Sequence, residues 1–89
     1  MFNNIVIGKP IADYRLLIAL DEEDWNTIEK DHTMFTETRH LPAVLKEAGV
    51  VPSINEVKRN KPGLNITLNE LDCIWVKWGK HRIFIVVGA

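Results

Sequence analysis

The sequence holds a single cysteine, Cys73, so the chain closes no internal disulfide and its fold must rest on an apolar core. A lone thiol of this kind suits a reducing compartment. No stretch approaches the roughly 20 apolar residues of a membrane-spanning helix. The first residues lack the basic start and long apolar middle of a secretory signal, which makes a cytoplasmic location the expectation. A strong charge bias is missing as well, since the formal net charge is −1, and taken alone that argues against a general polyanion binder. There is no glycine-rich phosphate loop. His32, His40, His81 and Cys73 are dispersed, without the paired spacing of a zinc site, and the acidic run Asp21 to Asp24 fits helix capping better than acid–base chemistry. The expectation is therefore a non-catalytic chain with no catalytic residue, metal site or cofactor.

What is present suffices for one small domain over residues 1–89, with 46% hydrophobic and 26% charged residues. Charge is unevenly spread along it. Residues 1–38 carry three cations against eight carboxylates, a net of −5, whereas residues 39–89 carry eight cations against four carboxylates, a net of +4. An acidic N-terminal part and a basic remainder give a dipolar surface, able to hold a polyanion on one side or to meet a second copy head to tail.

The local patterns predict an α+β fold. Ile5-Val6-Ile7 is β-branched throughout and closes at Gly8-Lys9-Pro10, a strand and a turn. Tyr14 to Leu20 is a second apolar run; length alone does not separate strand from helix there, and strand is the expectation. Asp21 then caps a helix whose first turn holds Glu22, Glu23 and Asp24, with Trp25, Ile28 and His32 on one face and an end near Asp31. Thr33 to Thr38 links this extension to the basic part.

Leu41, Val44, Leu45 and Ala48 fall at i, i+3, i+4 and i+7, the apolar stripe of a helix that Gly49 should close. After the elbow Val50-Val51-Pro52, Ser53 and Glu56 have the spacing of a capping box opening a second helix. Ile54 and Val57 would face the first helix and leave Lys58 and Arg59 outside. Pro62 should end the second helix at or before Lys61. Leu64, Ile66 and Leu68 alternate with Asn65, Thr67 and Asn69 as a half-buried strand. Asp72 to Trp78 and His81 to Val87 form a hairpin about Gly79-Lys80. That register puts Ile74, Val76, Ile83 and Ile85 on the core face, with Trp75, Lys77, Arg82 and Phe84 on the other.

The run through Leu41, Val44, Leu45, Ala48, Gly49, Val50, Val51, Ser53, Glu56, Val57 and Arg59 resembles the helical hairpin of the RNA-binding domain named after the fourth small-subunit ribosomal protein. Leu64 to Asn69 is similar to the strand and turn that follow in that family, and Gly79 to Phe84 to the basic and aromatic run before its last strand. The likeness covers residues 39–87. It departs at Asn60-Lys61-Pro62-Gly63, which shortens the second helix, and at Glu70, where the family turn has glycine. The resemblance implies a basic helical hairpin packed on a small, mainly antiparallel sheet, preceded here by a strand-strand-helix extension. It also implies RNA binding through shape and phosphate contacts, with Arg39, Lys46, Ser53, Lys58, Arg59, Lys61, Lys77, Lys80 and Arg82 as the candidate contact residues. Trp75 and Phe84 either stack bases or lie covered by the N-terminal extension. The competing expectation is a protein-interaction module that binds no nucleic acid and dimerises through its N-terminal strands.

Overall fold

The computed structural model describes residues 2–10 and 13–89. In chain order the elements are β1 (Asn4–Ile7), α1 (Tyr14–Ile18), α2 (Glu22–Thr27), a 3₁₀ turn (Glu29–His32), β2 (Thr33–Thr36), α3 (Leu41–Glu47), α4 (Ile54–Asn60), a second 3₁₀ turn (Pro62–Leu64), β3 (Asp72–Trp78) and β4 (His81–Val87). The four strands make one sheet in the order β2-β1-β4-β3. β1 runs parallel to both β2 and β4, and only β3 and β4 are antiparallel.

The α+β class expected from the sequence is what forms. The sheet, however, is mixed rather than mainly antiparallel, because β1 inserts at its centre. All four β1 residues are buried, as a strand covered on both faces requires, and the unbroken apolar run Ile5-Val6-Ile7 supplies that burial. A central position also removes β1 as a dimer edge, since both of its sides are already paired.

The α2 helix ends at Thr27 and a 3₁₀ turn takes up Glu29–His32, short of the expected end near Asp31, and three segments differ in type. Tyr14 to Leu20 begins as a helix, not a strand: the Asp13 side chain accepts from Arg15 N at 3.1 Å, and Tyr14 and Ile18, four residues apart, pack on Val6, Phe84 and Val86. Thr33–Thr36, expected as part of a linker, is the outer parallel strand β2. Leu64 to Asn69 is not a sheet strand. It opens in a 3₁₀ turn and lies along the start of α3, where Leu41 N donates to Ile66 O at 2.9 Å and Leu68 N to Arg39 O at 2.8 Å.

The helical hairpin forms as its sequence dictates. Gly49 takes φ +79°, Gly49 N donates to Lys46 O at 3.1 Å and Val50 N to Leu45 O at 3.0 Å, the paired bonds that close a helix through a left-handed residue. Ser53 Oγ accepts from Glu56 N at 3.4 Å, but the Glu56 carboxylate does not return the bond expected of a capping box; it turns to Arg59 and Asn60. Val44, Leu45 and Val57 are fully buried in one cluster with Ile5, Ile7, Ile83 and Ile85. That cluster joins α3 and α4 to one face of the sheet. On the opposite face α1 covers Val6, Phe84 and Val86, and Tyr14 makes edge contacts with Trp25 and Phe35 at 5.5 and 5.4 Å. The sheet thus sits between two unequal helical layers. Within α2, Trp25 is buried while Ile28 and His32 beyond it are exposed, so the three do not share one buried face.

Candidate nucleic-acid interface

The smaller layer leaves the β3 side of its sheet face exposed. The β3–β4 hairpin has the expected register, with Trp75 opposite Phe84 and Lys77 opposite Arg82, fixed by a two-residue turn in which Gly79 takes φ +60°. Phe84 is buried under α1, but Trp75 remains 68% exposed. Of this aromatic pair Phe84 is therefore covered and Trp75 is not. Their ring centroids lie 4.8 Å apart at 38°, so Phe84 backs Trp75 and steadies its plane against the sheet.

Two grooves share Trp75 and Arg82 in their linings. One, of about 390 Å³, is lined by Trp75, Val76, Lys77 and Arg82. The other, of about 420 Å³, is lined by Asn3, Asn4, Ile18, Glu29, Trp75, Lys80, His81 and Arg82. Lys77, Lys80 and Arg82 form no ion pair among the described residues, whose pairs are Arg15 with Asp13 and Arg59 with Glu56. Of the carboxylates in the Asp21 to Asp24 run, Asp21 caps α2 and Asp24 accepts from Leu20 N, and none pairs with Lys77 or Arg82 among the described residues.

No family model, curated protein or solved structure matches the chain.

The chemistry of the surface is accordingly that of its own side chains, and the nine candidate contact residues fall into distinct groups. Lys77, Lys80 and Arg82 gather beside Trp75 on the hairpin. Lys61 joins them at the outer edge of β3: its Nζ donates to Lys77 O at 2.5 Å and stands 5.5 Å over the Trp78 ring. Lys46 and Lys58 are exposed on α3 and α4, on the other side of the sheet. Arg59 is tied to Glu56, and Ser53 is occupied as a cap. Arg39 is half-buried and structural, because its guanidinium donates to Leu68 O and to Gly88 O, both at 3.1 Å, pinning the end of β4 to the segment before β3.

Asn4, Glu29 and His81 were not among the candidates, yet they line the groove beside Trp75. Asn4 Nδ2 donates to Glu29 Oε2 at 2.6 Å and to Thr33 Oγ1 at 3.3 Å, while Thr33 Oγ1 donates to Glu29 O at 2.7 Å. These contacts depend on β1 pairing with β2, a long-range relation that no local spacing in the sequence announces.

Apart from Glu29, a group of acidic residues lies away from Trp75. A smaller pocket of about 170 Å³ is lined by Asp13, Arg15, Leu16, Asp21, Glu22 and Trp25. There Asp13, hydrogen-bonded to Arg15 Nε at 3.2 Å, raises the Arg15 guanidinium above its ordinary value, chiefly through that bond and then through its charge. The one cation of this region is committed to a carboxylate, so it offers little to a phosphate.

Proposed function

We propose that the protein is a non-catalytic binder of single-stranded nucleic acid, specifically RNA, and that the exposed β3 side of the sheet around Trp75 is its contact surface. The observation that carries this is Trp75, largely exposed, backed by Phe84 and bordered by the unpaired cations Lys77 and Arg82. An aromatic platform between cations stacks a base while neutralising its phosphates, and each such stack is worth about 1–3 kcal/mol. The resemblance of residues 39–87 to the RNA-binding domain named after the fourth small-subunit ribosomal protein supports RNA over DNA. Within that kinship the buried cluster of Val44, Leu45 and Val57 and the glycine-closed α3 supply the helical hairpin, and Lys46 and Lys58 supply secondary phosphate contacts.

Titration of a labelled single-stranded 12-nucleotide RNA at rising salt tests the proposal. With three to five phosphate contacts the log–log slope is about −2 to −3.5, and affinity falls roughly 15- to 130-fold between 50 and 200 mM salt. Absence of binding at low micromolar protein in 50 mM salt, or binding flat in salt, would refute it.

A protein-contact role has its own supporting observation. Leu16, Leu20 and Phe35 are 69%, 94% and 54% exposed on the α1 side, and β2 has an open edge. An apolar surface there favours another protein or a second copy. A dimeric solution mass abolished by Leu16→Ser with Leu20→Ser, together with no RNA binding, would favour this alternative.

A further inference from the structure

The groove between Trp75 and Glu29 has walls of opposite character. Lys80, His81 and Arg82 come from the β3–β4 hairpin, while Asn3, Asn4 and Glu29 come from the start of β1 and the turn before β2. A simple phosphate tract matches the first wall but is repelled by the second. The ligand that suits both carries hydrogen-bond donors at one end and a phosphate at the other.

The carboxylate is held in place rather than trailing in solvent. Asn4 and Thr33 are 7% and 6% exposed, and both amide hydrogens of Asn4 are spent on Glu29 Oε2 and Thr33 Oγ1. Thr33 in turn bonds the Glu29 backbone oxygen. This network anchors the Glu29 carboxylate through Oε2, and a carboxylate only accepts hydrogen bonds.

We infer that this groove receives a single unpaired guanine, stacked on Trp75, whose ring N–H and adjacent amino group donate to Glu29 while Lys80 and Arg82 hold its flanking phosphate. The inference rests on the proposed single-strand binding and adds to it a base preference. Guanine alone presents two neighbouring donors on its pairing edge. Adenine and cytosine present one donor beside a ring acceptor, and uracil presents one donor between two carbonyl oxygens, so each of these turns an acceptor toward the carboxylate.

The test compares four labelled seven-nucleotide oligouridylates whose central residue is G, A, C or U, bound to wild-type protein and to Glu29→Gln. Wild type should bind the G-containing strand about 5- to 150-fold more tightly than the others, the range of one good bidentate pair. In Glu29→Gln the preference should shrink to within about twofold while oligouridylate binding persists, since glutamine offers one acceptor and one donor in place of two acceptors. Equal wild-type affinity for all four strands overturns the guanine assignment and leaves the single-strand proposal standing. An undiminished preference for G in folded Glu29→Gln also overturns it. Failure of all four strands to bind sinks both. The wild-type comparison carries the test even where the variant folds poorly.

Discussion

Lys61 Nζ donates to the main-chain oxygen of Lys77 at 2.5 Å and lies 5.5 Å over the Trp78 ring, fastening the end of α4 to the outer edge of β3. β3 is an edge strand, and a lysine laid along its unpaired groups hinders another strand from docking there. Lys61→Met keeps much of the aliphatic stem and removes both contacts. It should lower stability by about 0.5–1 kcal/mol, seen in thermal melting as a fall of roughly 2–8 °C. Melting unchanged within error would show that the contact contributes nothing in solution.

Arg39 stands among the basic residues that the family resemblance puts forward, but its geometry is that of a staple. Arg39→Ala should cost about 1.5–3 kcal/mol in urea denaturation, because two main-chain oxygens lose a charged donor in a half-buried setting. Affinity for single-stranded RNA, measured where the variant is folded, should stay within about twofold of wild type. A large loss of affinity without loss of stability would return Arg39 to the contact surface.

Leu45 is fully buried where α3 meets α4 and the sheet. Leu45→Ala should destabilise by about 2–5 kcal/mol. A domain of this size has on the order of 5–10 kcal/mol in all, so the variant should lose a large share of its stability and its urea midpoint should fall well below wild type. A denaturation midpoint close to wild type would mean that the hairpin is not part of the main core.

Lys77 and Arg82 face each other across the hairpin beside Trp75. Replacing either with alanine should make the salt slope of single-strand binding shallower by about 0.7, the contribution of one phosphate contact. Lys46→Ala, on the opposite side of the sheet, should alter it less. Equal effects at the three positions would point to diffuse charge attraction rather than a defined surface.

The sequence made some of this legible and hid the rest for identifiable reasons. Local chemistry was readable: Asp21 caps α2, Gly49 closes α3, Ser53 opens α4, and Gly79-Lys80 sets the β3–β4 register. Each depends on residues within a few positions of one another. The central placement of β1 was not readable, because parallel pairing joins strands separated by a helical layer and leaves no turn signature between them. The helix at Tyr14 was not legible, because a run of that length fits either element and Leu16 and Leu17, exposed in the fold, made it look like a buried strand. At the candidate interface the cations and Trp75 were legible, since strand alternation alone puts Trp75, Lys77 and Arg82 on one face. The Glu29–Asn4 contact was not, because it spans 25 residues and exists only once β1 and β2 are side by side.

The most direct measurement is the intrinsic fluorescence of the protein as single-stranded RNA is added at 50 mM salt, for wild type and for Trp75→Ala. Trp25 is buried and Trp78 half-buried, so a base stacking on the sheet should quench mainly Trp75. Wild type should show saturable quenching that disappears in Trp75→Ala, with affinity weakened about 5- to 150-fold and thermal stability little changed. Binding of equal strength in the two proteins would contradict the assignment of this face as the site, and no binding by either would contradict the proposed function itself.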